Sequence, residues 1–321
     1  MTLPFSRLTF PIAVLAAVAA LAAPAQAARP LDTAVPDAIA QTDAGSDAGS
    51  DAESDAGTTG ESADSLVERG VAEYRAGNYV GSIELLDRAI ERDSRSADAY
   101  RFRGLAHHQR GEYAAAIADY DRALALTNDD DIQVTLYGDR GLAYYSTGRA
   151  DLALADYERA IELDPDYALA YNHRGVLHYS QQDYEAAIAD YDMAIELDPD
   201  YAPAYNNRGL AYAALDQKPR AIANYTQAIR RDDTYRDAYY NRGNAHFLRA
   251  DYTAALADLD TVIAIDELYA NAYFVRAAIA EQVGNREAAV ADYQIAALLY
   301  ERQSQTDWQE RALDRLRLLQ N

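Results

Sequence analysis

The chain has no cysteine in 321 residues. Disulfides, thiolate nucleophiles, cysteine-ligated zinc and cysteine-linked lipid anchors are therefore absent. Lysine occurs once, at Lys218, so arginine supplies nearly all of the 29 basic residues. Positive charge is scarce altogether: Asp and Glu number 52, and the formal charge is −23. A nucleic-acid binder needs a basic footprint to displace counterions, so this balance argues against DNA and RNA as partners. It argues equally against docking on anionic lipid. Tryptophan occurs once and phenylalanine 5 times, whereas tyrosine occurs 26 times.

Beyond the first 27 residues there is no long apolar run. Within them, Arg7 gives a positive start, and an apolar stretch runs from Pro11 to Ala23. Ala25-Gln26-Ala27 then offers the small-x-small pattern of a signal-peptidase site. The stretch is short for a span of about 20 residues and is mostly alanine, which disfavours a membrane anchor. The expectation is a signal peptide over 1–27, cut after Ala27. It implies an exported protein, bacterial periplasmic or extracellular, with no integral membrane segment in the mature chain. A eukaryotic secretory origin stays open.

Residues 28–61 are low in complexity, as in Asp43-Ala44-Gly45-Ser46-Asp47-Ala48-Gly49-Ser50. Large apolar side chains are almost absent there. Such a segment cannot bury enough surface to offset its backbone entropy, and its acids repel one another. It reads as a disordered acidic Ala/Gly/Ser/Asp linker. Its acids lack the loop geometry of a calcium site.

The remainder repeats. Arg-Gly recurs with its glycine at Gly70, Gly104, Gly141, Gly175, Gly209 and Gly243, and Arg276-Ala277 is a degenerate seventh copy. The spacing is 34 residues except for one interval of 37. Tyr100, Tyr137, Tyr171, Tyr205, Tyr239 and Tyr273 lie four residues before the small residue, and Leu66 fills that slot in the first copy. Ser82, Ala116, Ala153, Ala187, Ala221, Ala255 and Ala289 lie twelve after it. A large residue, such as Tyr120, Tyr157, Tyr191, Tyr225 or Tyr293, comes four further on. Each copy holds two amphipathic stretches of helical period, in copy four Tyr171 to Ser180 and Tyr184 to Glu196. Gln181-Gln182-Asp183 makes the turn between them, where other copies have Gly77, Gly111, Gly148 and Gly284. Proline after Asp198 stops the second helix. One helical hairpin cannot bury its apolar faces alone, so the copies must stack.

This pattern resembles the tetratricopeptide repeat, whose consensus has an aromatic, then Leu-Gly, a Tyr, a mid-repeat Ala, an aromatic, an Ala and a late Pro. Arginine stands here where the family's leucine precedes the glycine. The resemblance implies an all-α, right-handed superhelical solenoid of seven helix-turn-helix copies over 62–303. Their limits are 63–96, 97–130, 134–167, 168–201, 202–235, 236–269 and 270–303, and three extra residues follow copy two. Thr306-Asp307 opens a last helix, within 304–321, whose stripe of Trp308, Ala312, Leu316 and Leu319 caps the stack.

The arginine row, Arg69, Arg103, Arg140, Arg174, Arg208, Arg242 and Arg276, invites two readings. It forms a basic ladder for an anionic ligand, or it is internal. Acids recur sixteen residues later, at Asp119, Asp156, Asp190, Asp258 and Asp292, with Asn224 in copy five. A bidentate pair at that spacing would fix the hairpin register, which favours the internal reading.

His107, His178 and His246 share one slot, held by Tyr144 and Tyr212 in copies three and five, and read as core histidines. His108 and His173 stand in other slots without matched acids. None has the paired spacing of a zinc site, so no metal is expected. Asn128-Asp129-Asp130-Asp131 reads as a solvated loop. No phosphate loop or nucleophile elbow is present, so neither a cofactor nor catalysis is expected.

In the family, positions 2, 5, 9, 12 and 13 of each copy commonly hold ligand contacts. At 100° per residue they lie roughly opposite the packing positions 4, 8 and 11. Copies three to six place Tyr145, Asn172, Tyr179, Asn206, Tyr240, Asn244 and Phe247 there. Asparagine pairs with backbone amides, and aromatics supply area at little entropy cost. The slots that hold a carboxylate terminus in the family's best-known mode carry Arg101, Leu105, Asp139, Leu169 and His173. Asp139 would repel such a ligand. The expected function is that of an interaction scaffold or adaptor whose concave groove takes a neutral or basic protein or extended peptide. A self-assembling, homo-oligomeric solenoid and, further off, an enzyme or glycan binder remain alternatives.

Overall fold

A computed structural model describes residues 61–320. The signal peptide expected over 1–27 and all but the last residue of the linker lie outside the described residues. Those described form an all-α repeat solenoid. The first helices of the seven copies are α1 (Ala63–Arg75), α3 (Ala97–Gln109), α5 (Asp130–Ser146), α7 (Ala168–Ser180), α9 (Ala202–Ala214), α11 (Arg236–Phe247) and α13 (Ala270–Gln282). The second helices are α2 (Tyr79–Arg92), α4 (Tyr113–Leu126), α6 (Ala150–Leu163), α8 (Tyr184–Leu197), α10 (Lys218–Arg231), α12 (Tyr252–Ile265) and α14 (Arg286–Arg302). A last helix, α15, spans Thr306–Gln320. None of the described helices is long and apolar enough to cross a membrane.

Local chemistry sets the ends. The turn within a copy needs one left-handed residue, and Gly77, Gly111, Gly148 and Gly284 supply it at φ between 74° and 77°. Gln182, Asp216 and Ala250 hold the same conformation without that freedom. Between copies, Asp93, Asp164, Asp198, Asp232 and Asp266 each accept a hydrogen bond at 2.9–3.0 Å from the backbone N–H two residues on. This Asx turn ends one copy and launches the next. The three extra residues after copy two do not form a loop. They lengthen α5 by a turn, because Asp129 caps its start and accepts from the N–H groups of Asp131 and Ile132.

The residues divide into two compact units, one ending at Leu177 and the other starting at His178. In the N-terminal unit, Leu66, Leu86, Phe102, Tyr120 and Leu136 share one core. In the C-terminal unit, Phe274 packs edge-on against Tyr293, Tyr300 and Trp308. Trp308 and the buried Ala312 and Leu316 seat α15 on this core, as the sequence stripe suggested.

The same clasp recurs in both units. A Cβ on Gly104 or Gly141 would come within 2.7 or 2.6 Å of the ring of Tyr120 or Tyr157, so the helices close only over glycine. Beside that contact, Arg103 donates from Nε and Nη2 to Asp119 at 2.9 and 2.6 Å, and from Nη1 to Asp87 of the preceding copy at 2.6 Å. Arg140 likewise takes Asp156 and Asp121. In the C-terminal unit, Arg276 takes Asp292 and Asp260, Arg242 takes Asp258 and Thr226, and Arg208 takes Asn224 and Asp192. Each guanidinium also lies 5.4–5.6 Å from the ring three residues back, or 5.3 Å at Tyr137. Arg103, Arg140, Arg208, Arg242 and Arg276 are therefore internal. Arg69 has no acid sixteen residues on, and Glu61, the last residue of the expected linker, supplies its carboxylate at 2.5 Å.

Two substitutions separate the arms of the clasp. Asp156 is 8% exposed and leaves Arg140 unmatched when removed, so Asp156→Ala is expected to cost about 3 kcal/mol in urea unfolding. Asp121 is 54% exposed, and Asp121→Ala should cost no more than about 1 kcal/mol. At the turn of copy six, Ala250→Gly relieves a φ of 59° and should raise stability by about 1 kcal/mol in the same assay.

Candidate functional site

The clasp consumes the polar groups on one side of each first helix. On the other side, in the slots singled out for partner contact, the structure departs from expectation. Asn172, Asn206, Tyr240, Asn244 and Phe247 are all buried, at 1–4% exposure. Only Tyr145 and Tyr179 are half-buried. The burial has a physical cause. Consecutive first helices approach closely, and junction aromatics fold over them: Tyr269 packs edge-on against Tyr240 at 5.1 Å, and Arg236 covers Tyr269 at 4.5 Å. Phe247 meets Tyr252, and Tyr179 meets Tyr184 at 5.3 Å. Burial and the neighbouring Tyr184 push the Tyr179 phenol up to about 12.

Within the C-terminal unit, these slots still form a row of amides. Asn241 donates to Asn206 at 2.9 Å across copies five and six. The side-chain amide of Asn244 has neither its donor nor its acceptor matched by a hydrogen bond of acceptable geometry, and nor does the hydroxyl of Tyr240 one turn earlier.

The N-terminal unit carries a stronger cluster, which the slot analysis passed over because it took copies three to six. Arg101 and His108 occupy positions 5 and 12 of copy two, the same slots. Arg101 is 8% exposed and His108 4%. Asp139 of α5 places Oδ2 3.9 Å from Arg101 Nε, and His173 of α7, 7% exposed, lies with its ring 5.7 Å from that of Tyr157. Arg101 Nε, His108 Nε2, both ring nitrogens of His173 and the hydroxyls of Tyr120 and Tyr157 have no hydrogen-bond partner. Burial pushes Asp139 up to about 6, and the nearby Arg101 only partly offsets it. Burial also lowers His108 and His173 to about 4, so both rings are neutral at pH 7.

The histidines thus reverse the sequence expectation. His107, His178 and His246, read as core residues, are 18–24% exposed and face carboxylates. His107 bonds Glu112 at 2.6 Å, while His178 and His246 lie 3.7 and 3.4 Å from Asp190 and Asp251. His108 and His173 are the buried ones. Among the described residues no group of three or more His, Asp or Glu side chains is arranged to hold a metal ion.

The buried rings make stability acid-sensitive, with a definite sign. As pH falls through 6.5, the unfolded chain protonates its histidines first, and stability is lost until the folded values near 4 are reached. Each ring accounts for roughly 3 kcal/mol of that loss. Asp139 works the other way: the folded state binds its proton first below about 6, returning roughly 3 kcal/mol by pH 4. Two rings outweigh one carboxyl. Replacing His108 and His173 together by Gln should therefore shrink the drop in urea midpoint between pH 7 and pH 4.5, relative to the unsubstituted chain.

Comparison with known proteins bears on the same array. A family model described as TPR repeat matches residues 141–182 and 175–216, and one described as tetratricopeptide repeat matches 56–131 and 206–270. No curated protein sequence matches the chain. Among solved structures, a tetratricopeptide repeat protein from Parabacteroides merdae aligns at 21% identity over 79% of this chain and 100% of its own, with a TM-score of 0.60. Yeast Tom70 aligns at 19% identity over 79% of this chain and 54% of its own, with a TM-score of 0.58. A chain of the APC/C hetero-tetramer Cut9–Hcn1 aligns at 18% identity over 68% of this chain, with a TM-score of 0.60, and this chain spans only 42% of its length. At these identities the structural likeness concerns the fold alone. The repeats make this chain a protein–protein interaction scaffold, and it belongs to the tetratricopeptide repeat family.

Proposed function

We propose that the protein is an exported scaffold, in a periplasm or elsewhere in the cell envelope, that holds a peptide or protein partner along the first helices of its copies. One observation carries this reading. The ladder arginines of copies two, three, five, six and seven make their hydrogen bonds on the clasp side, whereas Arg101, His108 and His173 on first helices, with Tyr120 and Tyr157 on second helices, are buried with hydrogen-bonding groups unmatched. Unmatched buried polar groups are rare in folded proteins and mark places where a further bond is made. The formal charge of −23 steers neutral or basic partners toward the chain. Export rests on the leader pattern ending at Ala25-Gln26-Ala27.

Self-assembly is the competing reading, and one observation favours it: Leu298 on α14 and Leu318 on α15 are 48% and 65% exposed.

A crosslinked pull-down from envelope extract, with the exported chain as bait, tests the two. Tyr145→Ala and Tyr179→Ala change half-buried residues on separate first helices, and circular dichroism first establishes that both variants keep the native helicity. The expected result is a bait whose N-terminus is Ala28 by mass spectrometry, and a partner whose recovery falls several-fold with at least one variant. Recovery of the same proteins by all three baits removes the first-helix face as the site. Recovery of the bait alone, with a concentration-dependent mass, establishes self-assembly instead.

A further inference from the structure

Arg101 and Arg103 lie two residues apart on α3 and live in opposite conditions. Arg103 makes three hydrogen bonds to two carboxylates. Arg101 is more deeply buried, at 8% exposure, yet its nearest carboxylate oxygen stands 3.9 Å from Nε, beyond hydrogen-bond reach. Its Nε–H is unmatched. A buried guanidinium N–H left unmatched is costly to keep unless something else completes it.

What surrounds it defines what would complete it. Asp139 is a fixed acceptor, and its side chain is 23% exposed, so the pair opens to solvent on that side. Arg101 is a fixed donor. His108, His173, Tyr120 and Tyr157 are neutral at pH 7 and can each donate or accept. Burial raises the phenols of both tyrosines, with Asp139 adding through space, and burial lowers His173, with His108 adding, so these side chains feel one another's charge. They come from five successive helices, α3 to α7.

A donor and an acceptor held side by side, of opposite charge and summing to zero, match one ligand chemistry best. A carboxylate would gain Arg101 and meet Asp139. An ammonium or guanidinium would gain Asp139 and meet Arg101. An apolar group would leave both unmade. A primary carboxamide offers its carbonyl oxygen to Arg101 and its N–H to Asp139 at once. We propose that Arg101 and Asp139, backed by His108, His173, Tyr120 and Tyr157, form a carboxamide-recognition site that takes an Asn or Gln side chain of a peptide lying along the first helices. The site rests on the scaffold reading above, and it adds the identity of one ligand group and the residues that read it.

The test uses the exported chain and four acetylated, N-methylamide-capped heptapeptides, which carry no other primary amide. They differ only at the central residue: Gln, Met, Glu or Lys. Binding is followed by calorimetry at pH 7. The Gln peptide should bind at least about tenfold more tightly than its near-isostere Met, and more tightly than Glu or Lys, because only Gln completes both bonds. The double variant Arg101→Met/Asp139→Leu removes both charges together and so leaves no unpaired ion. It should lose the Gln preference while keeping native helicity. Asp139→Asn alone should reduce the preference at constant charge on Arg101. Equal binding of Gln and Met, a Gln preference that survives the double variant, or no binding by any of the four overturns the proposal. The pull-down partner supplies the separate control: if its recovery is unchanged by the double variant, the scaffold stands and only the carboxamide site falls.

Discussion

A guanidinium shared between two copies holds this fold in register. Arg103, Arg140 and Arg276 each grip one carboxylate bidentately within their own copy and reach a second in the copy before. Planarity makes this possible, because the fork of N–H groups meets two oxygens on one edge and keeps a further donor for the next partner. The arrangement constrains its neighbours. The residue after the arginine must be small, because the aromatic after the carboxylate lies against it: Tyr120 over Gly104, Tyr157 over Gly141, Tyr225 over Gly209. The tyrosine three residues before the arginine stacks on the outer face of the same guanidinium. One ion pair thus accounts for four slots of the repeat.

Substitutions within the row show what the clasp tolerates. Asn224 replaces the acid in copy five, accepts from Arg208 at 2.7 Å, and returns its own N–H to the Arg220 carbonyl at 2.9 Å. Thr226 replaces the acid that would serve Arg242 and accepts at 3.1 Å. Glu61 serves Arg69 from outside the repeats. In copies five and six the guanidinium takes a neutral partner at the vacated slot, so geometry is kept where charge is not. That fits the energetics of partly buried pairs, where an unmatched donor costs more than a full salt bridge contributes.

Much of what recurs every 34 residues was legible in the sequence, because seven copies report the same physics. The helical hairpins, the glycine turns, the arginine-to-acid spacing of sixteen and the apolar stripe of α15 all belong to that class. What depends on one copy, or on how neighbouring copies meet, was not. Asp129-Asp130-Asp131 carries the acidity of a loop, but Asp129 is an N-cap, and the acids after it suit the first turn of a helix. His108 and His173 lack acid partners in sequence and are buried, whereas His107 and its equivalents sit at the rim against carboxylates. Facing residues across copies, such as Arg101 and Asp139, depend on how closely consecutive first helices approach. A single-copy pattern does not encode that distance. The same limit explains why the slots holding Tyr240 and Asn244 are buried: junction residues such as Tyr269 cover them.

The contrast between Arg101 and Arg103 follows from helix geometry. Two residues turn a helix by 200°, so the two guanidinium groups leave α3 on nearly opposite sides. On one side lies the second helix of the copy, with an acid waiting at fixed spacing in most copies. On the other side lies the next first helix, where the period supplies no acid, and Asp139 stands at a position that other copies give to His173, Asn207 or Asn241. The clasp side repeats because every copy must stack on its neighbour. The other side packs against the next first helix without a recurring ion pair, and it varies along the array, with arginine, glycine, asparagine, asparagine, tyrosine and phenylalanine at position 5 of copies two to seven. A side that varies between copies and is furnished with unmatched donors and acceptors is where this array can carry information about a partner. Copies two to four hold the densest set of such groups.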